Sequence, residues 1–137
     1  MIGIVVVGHG RLAEEMVRTL ESVLGRVEAL EGVATSLGES PDDIRARIAA
    51  AVGRVDREHG VIILTDMLGD TPTNLSVAVA RETGAEVVAG INMPILVKLV
   101  SARAGRDAHS LAAFIRRYGQ EHIFWATEPP ARRRQAR

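Results

Sequence analysis

The fold is decided by one stretch of the chain, Val61-Ile62-Ile63-Leu64-Thr65-Asp66-Met67-Leu68-Gly69-Asp70-Thr71-Pro72-Thr73-Asn74. It begins with an apolar run that has the length of a buried strand and stops at the carboxylate of Asp66. A short loop containing Gly69 follows. Thr71 and Pro72 then predict a helix start, with a hydroxyl N-cap and a proline at the first helical position. The stretch therefore holds an acidic side chain at a strand end, beside backbone N–H groups that can bind an anion.

The rest of the chain alternates strand-like and helix-like segments. Strands are predicted at residues 2–7, 27–33, 61–65 and 86–91, with a final short strand at 123–126. Helices are predicted from Leu12 to the stop at Gly25, from the Ser40 cap, from Pro72 to Gly84, from Pro94, and from the Asp107 cap to Gly119. The segment after Pro94 is apolar on nearly every side, so we expect it to pack against both the sheet and a second subunit.

This alternation predicts an α/β fold with three layers, in which a doubly wound and mostly parallel sheet has helices on both faces. The two most apolar strands, the first and the third, belong at the centre of the sheet. The flavodoxin-like strand order 2-1-3-4 makes them neighbours, with a crevice between their carboxyl ends. His9 ends the first strand and Asp66 ends the third, so the topology predicts that these two side chains meet.

Length and composition narrow the classes of protein that fit. A chain of 137 residues with 47% apolar residues forms one domain, which we expect over residues 1–128. There is no cysteine, and the N-terminal apolar run is too short for a membrane span and wrongly flanked for a signal peptide. We therefore expect a cytoplasmic protein.

The charge distribution argues against nucleic acid as a partner. The net charge is zero, but several basic residues are concentrated at the C-terminus, which leaves the rest of the chain acidic. Aromatic residues make up only 3% of the chain, too few for a base-stacking surface. Residues 129–137 form an Arg-rich segment without apolar periodicity, and we expect a solvated, disordered tail there.

A histidine beside a carboxylate has a definite chemistry. A carboxylate that accepts a hydrogen bond from one imidazole nitrogen leaves the other nitrogen as a nucleophile or base. Gly8 and Gly10 flank His9 without side chains, which lets a partner approach closely. A histidine at a strand end is nevertheless more often a simple loop residue, so both interpretations stay open at this point. His59, His109 and His122 are interpreted as structural.

The loop after Asp66 is the candidate anion site. The N–H groups of Gly69, Asp70 and Thr71, with the Thr71 hydroxyl, can hold a phosphoryl group at the start of the helix. Thr65 and Asn92, at the ends of two strands, are either pocket walls or structural residues. Only two metal ligands are evident, and a Walker-type loop is missing, so we expect neither a metal nor an organic cofactor.

Three motifs in order carry a resemblance that covers residues 1 to about 127. They are Val7-Gly8-His9-Gly10 with Leu12-Ala13-Glu14, then Leu64-Thr65-Asp66-Met67-Leu68-Gly69 with Thr71-Pro72-Thr73-Asn74, and Ala89-Gly90-Ile91-Asn92-Met93-Pro94-Ile95-Leu96. In these the chain resembles the IIA component of the mannose family of the bacterial phosphoenolpyruvate:sugar phosphotransferase system (PTS). The resemblance implies a phosphotransferase in which His9 accepts a phosphoryl group on Nε2 from the phosphocarrier HPr and passes it to a IIB component. It also implies that Asp66 holds the ring and that Thr71 lies beside the phosphoryl group.

The resemblance carries two further implications. One is a homodimer in which the last strand, residues 123–126, crosses to the partner's sheet as an antiparallel edge strand. The family also implies that the protein contacts the membrane only indirectly, through a permease complex. The other concerns a departure from the family, which usually has a second glycine where this chain has Asp70. An aspartate adopts a left-handed backbone less readily than glycine, and it brings a negative charge near a phosphoryl group. We therefore expect the Asp70 side chain to point outward.

Three alternatives remain at this stage. In the first, the same histidine is phosphorylated as part of a regulatory switch, and the output is binding to a non-transport partner. The chain also fits, less well in its loop motifs, the phosphotransfer subunit of a dihydroxyacetone kinase. The third alternative is a flavodoxin-like interaction domain in which the histidine has no chemical role.

Overall fold

A four-stranded, entirely parallel sheet forms the centre of the protein, for which a computed structural model describes residues 1–130. The strands are β1 (Gly3–His9), β2 (Leu30–Thr35), β3 (Val61–Thr65) and β4 (Glu86–Ala89). The helices are α1 (Leu12–Leu24), α2 (Pro41–Val55), α3 (Thr71–Thr83), α4 (Met93–Ala102) and α5 (Ala108–Glu121). The Arg-rich segment expected to be a tail lies mostly outside the described residues.

The strand order is β2-β1-β3-β4, which confirms the predicted flavodoxin-like arrangement. In the register, Val7 pairs with Thr65 on one side of β1, and His9 pairs with Thr35 on the other. The carboxyl ends of β1 and β3 are therefore adjacent, and the connections that leave them run to opposite faces of the sheet. This is the topological switch point of a doubly wound fold.

Helices cover both faces of the sheet because the central strands are apolar on both sides. Ile4 and Val6 of β1 face α1, α4 and α5, whereas Val5 and Val7 face α2 and α3. All four side chains are buried. A strand buried on both faces needs a continuous apolar run rather than alternation, which is the pattern that singled out β1 and β3.

The predicted starts of α2 and α5 are confirmed. The Ser40 hydroxyl accepts a hydrogen bond from the Asp43 N–H, and Pro41 occupies the first turn. The Asp107 carboxylate accepts a hydrogen bond from the Ser110 N–H at the start of α5. Each side-chain oxygen pairs with one of the backbone N–H groups that lack a partner within the helix.

Several predicted element ends were wrong, and β2 spans Leu30–Thr35 instead of residues 27–33. Strand β4 ends at Ala89 instead of residue 91, because the N–H groups of Gly90 and Ile91 both turn back to the Thr65 carbonyl. Helix α5 passes through Gly119, which was predicted to stop it. A Cβ at Gly119 would lie 2.9 Å from a methyl carbon of Ile95, so this glycine permits close packing of α5 on α4.

Helix α1 buries only part of its apolar side. Ala13 and Leu20 are buried and Met16 packs against the core, but Leu12 and Leu24 at the two ends of the helix are exposed. The two buried positions of α1 are seven residues apart and therefore lie on the same side of the helix.

Helix α4 is enclosed by its own chain on several sides. Ile95, Leu96 and Leu99 are buried in the core shared with α1 and α5. Contacts with both helices and with the sheet explain most of its all-round apolar pattern. Val97 remains exposed, so the expected contact with a second subunit stays a prediction.

Residues 123–126 do not form the predicted fifth strand within the described part of the chain. Ile123, Phe124 and Trp125 are 78%, 69% and 57% exposed. A strand needs a neighbour for its backbone hydrogen bonds, and this segment is paired with no strand among residues 1–130. The crossing to a partner's sheet therefore remains a prediction.

Candidate functional site

His9 and Asp66 meet where the topology predicted. The last residue of β1 presents its Nδ1 at 2.7 Å from Oδ2 of Asp66, which is the first residue after β3. The same oxygen accepts a hydrogen bond from the His9 backbone N–H at 2.9 Å, and Oδ1 accepts one from the Met67 N–H. Three donors hold the carboxylate, so its position relative to the ring is fixed.

Exposure and charge are unequal within this pair. The His9 side chain is 45% exposed, whereas that of Asp66 is 11% exposed. Burial by itself raises the pKa of Asp66, but the His9 and Met67 donors outweigh burial and lower the pKa overall. The hydrogen bond to Asp66 raises the pKa of His9, with a small electrostatic contribution from Asp70. Asp66 is therefore ionised near neutral pH and accepts Nδ1–H, which leaves Nε2 as the ring nitrogen that carries the lone pair in neutral His9.

The glycines around His9 have separate functions. A Cβ at Gly8 would lie 3.4 Å from Asp66 Oδ2, so the small residue lets the carboxylate approach the backbone of β1. Gly10 has φ +56°, in the left-handed region that favours glycine, and a Cβ there would meet open space. Gly10 thus turns the chain from β1 into α1 and leaves the approach to His9 free, as predicted.

Asp70, and not Thr71, is the N-cap of α3, contrary to the prediction. Its backbone is extended, with φ −130° and ψ −178°, and Oδ1 accepts a long hydrogen bond of 3.5 Å from the Thr73 N–H. Thr71 is the first helical residue and Pro72 the second. Aspartate is a better N-cap than threonine, so the helix begins one residue earlier and Asp70 needs no left-handed conformation.

The Asp70 side chain also points toward His9, so the expectation that it points outward was wrong. Its Oδ2 lies 3.3 Å from Nε2 of His9, and the side chain is 21% exposed. The contact has the distance of an ion pair without hydrogen-bond alignment. Among residues 1–130, Oδ2 is the one buried side-chain oxygen or nitrogen that lacks a hydrogen bond. Asp70 turns inward because the capping geometry of α3 directs its carboxylate to the carboxyl edge of the sheet.

A cavity of about 530 Å³ opens beside His9. Thr71 and Pro72 lie on one wall, and the β2–α2 loop with Ser36 and Leu37 forms the other. Gly69, with φ +89°, turns the loop between Asp66 and α3. The expected phosphoryl site of Gly69, Asp70 and Thr71 remains a prediction, with Thr71 at the cavity and Asp70 in contact with the ring.

Two candidate pocket residues serve other purposes. Thr65 is fully buried, and its hydroxyl lies 2.7 Å from that of Thr73, which itself donates to the Met67 carbonyl. This pair fixes the loop that carries Asp66. Asn92 caps α4 by accepting a hydrogen bond from the Ile95 N–H, and it lines a different cavity from the one beside His9.

The β2–α2 loop was missed as part of the site. The Thr35 hydroxyl donates to the Gly8 carbonyl at 3.0 Å, and the Thr35 carbonyl accepts from the Gly10 N–H at 2.7 Å. These bonds brace both sides of His9. Glu39 lines the same cavity and is held by Arg47. The available signal was positional, since Thr35 ends the strand next to β1 and therefore reaches the same edge of the sheet.

The site has some capacity for a cation. One ligand atom each from His9, Asp66 and Asp70 lies within 4.8 Å of the others. However, three donors already occupy the Asp66 carboxylate. The arrangement fits a histidine oriented by a carboxylate better than a metal centre, which normally needs at least three uncommitted ligands.

The other histidines lie at unrelated places. His59 Nδ1 is near the Arg57 carbonyl, and His122 Nδ1 is near the Tyr118 carbonyl. His109 on α5 has its Nδ1 at 3.2 Å from Glu86 Oε1 on the surface. His9 is thus the histidine that combines a buried carboxylate with an open cavity.

Fold and site together define a doubly wound α/β protein with a carboxylate-held histidine at its switch point. No helix among the described residues has the length and apolar character needed to cross a bilayer. The family model EIIA-man, described as "PTS system fructose IIA component", matches residues 3–116. The chain therefore belongs to the EIIA-man family of PTS components.

Similar proteins agree with this assignment. The PTS system mannose-specific EIIAB component of Escherichia coli K12 is 34% identical over 103 residues, which are 74% of this chain and 32% of that protein. The chain thus spans about a third of that relative. The fructose-specific EIIA component of Bacillus subtilis is 28% identical over 75% of this chain and 71% of its own length. A crystal structure of EIIA from Streptococcus agalactiae superposes with a TM-score of 0.82 at 28% identity, covering 90% of this chain and 96% of that one.

Proposed function

We propose that His9 carries a transient phosphoryl group, which it accepts from an HPr-type phosphocarrier and passes to a IIB component during sugar uptake. The observation that carries this proposal is the 2.7 Å contact between His9 Nδ1 and Asp66 at the switch point. It directs Nε2 away from the Asp66 carboxylate, and the His9 side chain also lines the cavity. No cofactor is required for the transfer.

The chemistry follows from the tautomer. With Nδ1–H donated to Asp66, Nε2 holds a lone pair that attacks phosphorus in line with the departing nitrogen of the donor. The new N–P bond forms as the donor's P–N bond breaks, and that electron pair returns to the donor. The ring then carries a positive charge, which the ionised Asp66 stabilises at Nδ1. Transfer to the acceptor reverses these steps.

The surroundings of His9 suit docking of another protein. Leu37, Met67 and Leu68 project from the two loops beside the cavity and are exposed, with Leu37 and Leu68 almost fully so. Apolar side chains around a polar reacting atom are typical of interfaces whose centre becomes dry on binding. We infer that donor and acceptor dock on these loops in turn.

We further propose a homodimer in which residues 123–126 pair with the open edge of β4 in a second copy. β4 is an edge strand, and the exposed Ile123 and Phe124 gain a covered position in such a pairing. The proposed phosphotransfer function also implies a cytoplasmic location. The protein would contact the membrane only through a permease complex and would not bind nucleic acid.

A labelling experiment tests the proposed transfer. The protein is incubated with labelled phosphoenolpyruvate, enzyme I and HPr, and we expect an acid-labile, base-stable label on the wild type. His9→Gln should carry none. His109→Gln is the matched control, because His109 also faces a carboxylate but lies on the surface away from the cavity. Label on His9→Gln, or a wild type that HPr never labels, would contradict the assignment.

A further inference from the structure

Asp70 contacts the atom at which the proposed reaction takes place. Its Oδ2 lies 3.3 Å from His9 Nε2, is buried, and has no hydrogen bond among the described residues. Helix capping occupies only Oδ1, which accepts the hydrogen bond from the Thr73 N–H, so Oδ2 is left without a donor. A buried carboxylate oxygen without a donor is unfavourable, so its position needs an explanation.

A proton on Nε2 offsets the unfavourable position of the buried Asp70 Oδ2. When His9 is protonated on both nitrogens, Nδ1–H faces Asp66 and Nε2–H faces Asp70, which places the imidazolium between two carboxylates. When Nε2 is unprotonated, its lone pair faces a carboxylate oxygen at 3.3 Å, which is repulsive. Asp70 therefore favours the form of His9 in which the proposed acceptor atom is occupied by a proton.

We propose that Asp70 competes with the phosphoryl group for Nε2 of His9 and so lowers the phosphorylated fraction of the protein at equilibrium with its donor. This inference rests on the proposed function, because it takes His9 as the phosphoryl acceptor. It assigns Asp70 the role of setting how readily the group is accepted and how readily it is given up.

The reaction steps show where the competition acts. The proton on Nε2 first leaves to solvent, and the freed lone pair then attacks phosphorus of the donor's phosphohistidine while the donor's P–N bond breaks. The product has a dianionic phosphoryl group where a proton had been. That group lies within a few ångströms of the Asp70 carboxylate, so like charges replace opposite charges.

Asp70 acts within a defined set of charges. Asp66 faces the other ring nitrogen, and Glu39 lines the cavity, where Arg47 neutralises it. On α1, Arg11 lies near Glu14 and Glu15. Among the described residues, Asp70 is therefore the carboxylate that faces Nε2 directly, whereas Asp66 acts through Nδ1 on the other side of the ring.

The test compares Asp70→Asn with the wild type. Asparagine caps helices as well as aspartate does, so the start of α3 is preserved while the charge is lost. Each protein is equilibrated with phosphorylated HPr, and intact mass gives the phosphorylated fraction of both partners. We expect the equilibrium constant for phosphorylation of His9 to rise roughly tenfold at pH 7. Asp43→Asn, an exposed change in the first turn of α2, is the matched control and should leave the constant unchanged.

A second readout needs no phosphoryl donor. Titration of the His9 ring signals by NMR in the unphosphorylated protein should give a lower pKa in Asp70→Asn than in the wild type, because one of two facing carboxylates is gone. Equal phosphorylation constants and equal ring titrations would overturn the role of Asp70 while leaving His9 as the acceptor. If neither wild type nor variant accepts the group from HPr, the proposed function fails and this inference fails with it.

Discussion

At the scale of the residue, the chemistry of His9 depends on how completely its carboxylate partner is held. Asp66 receives hydrogen bonds from the His9 ring, the His9 backbone and the Met67 backbone. Each bond limits the rotation of a group whose function is to fix one tautomer. In the proposed transfer, Asp66 therefore acts on Nε2 through the opposite side of the ring, whereas Asp70 lies beside Nε2 itself.

The variant Asp66→Asn should keep the fold and lose most of the transfer rate. An amide cannot stabilise the positive ring that forms when Nε2 is phosphorylated, and its NH₂ group can select the wrong tautomer. We expect initial rates of phosphorylation by phospho-HPr to fall roughly 100-fold, measured by rapid quench with intact mass. Unchanged thermal unfolding serves as the control, and a wild-type rate would remove Asp66 from the mechanism.

The pKa shifts predict a pH-dependent contribution of His9 to stability. The pKa of His9 is raised above 6.5, so its stabilising contribution is complete below 6.5 and is lost as pH rises through the folded-state pKa. The pKa of Asp66 is lowered from 3.8, so its contribution is present above 3.8 and is lost as pH falls through the folded-state pKa. The pair therefore stabilises the fold most between these limits.

Urea unfolding of the wild type and His9→Gln from pH 5 to 9 tests this dependence. The difference in free energy of unfolding should be largest at the acid end of this range and should shrink toward pH 9. The same comparison in an Asp66→Asn background should show most of the pH dependence removed. A difference that stays constant with pH would show that the ion pair does not contribute to folding.

At the scale of the element, strands were easier to predict than caps and ends. β1 and β3 are continuous apolar runs that only a central, doubly covered position satisfies, so their adjacency and the meeting of His9 with Asp66 followed from the sequence. The inward turn of Asp70 did not follow, because it depends on which of two neighbouring residues caps α3. Such a choice rests on small differences in capping energy that residue types alone do not settle.

The closeness of α2 to the sheet is a second feature of the elements that the pattern of apolar residues does not specify. A Cβ at Gly3 would lie 2.4 Å from the Val55 carbonyl oxygen, whereas one at Gly53 would meet nothing within 4 Å. Gly3→Ala should therefore lower the free energy of unfolding by about 1–3 kcal/mol through overpacking. Gly53→Ala, within α2, should raise it by about 0.5–1 kcal/mol because alanine favours the helix.

Chemical denaturation of both glycine variants gives the comparison directly. The two changes add the same methyl group, at Gly3 where β1 packs against α2 and at Gly53 on the open side of α2, so each is the other's control. Opposite signs are expected. Equal effects of the two substitutions would show that backbone contact between β1 and α2 does not limit the size of the side chain at Gly3.

At the scale of the whole molecule, the segment after α5 is the predicted strand that does not form within the described part of the chain. Residues 123–126 were predicted as a strand, yet a strand exists only where a neighbour supplies hydrogen bonds, and a single chain leaves this segment as coil. A sequence pattern detects the tendency to extend, whereas a strand also needs a neighbour, which a second copy supplies in the proposed dimer. The proposed dimer accounts both for the strand-like sequence of residues 123–126 and for their coil conformation in one chain.

Analytical ultracentrifugation tests the dimer with a matched pair of substitutions. Phe124→Asp puts a charge on a side chain that is 69% exposed in the described chain, and Val23→Asp does the same at a position on α1 that is 68% exposed. We expect the wild type and Val23→Asp to sediment with the mass of two chains and Phe124→Asp to dissociate at least tenfold more readily. A wild type with the mass of one chain would rule out the proposed pairing.

The central claim is that His9 accepts a phosphoryl group on Nε2 while Asp66 holds Nδ1. It is tested most directly by a long-range ¹H–¹⁵N NMR spectrum of ¹⁵N-labelled protein, recorded before and after phosphorylation by phosphoenolpyruvate, enzyme I and HPr. We predict that His9 alone among the four histidines changes, with phosphorus coupling at Nε2 and a protonated Nδ1. Phosphorus coupling at Nδ1 of His9, or at any other histidine, would contradict the account.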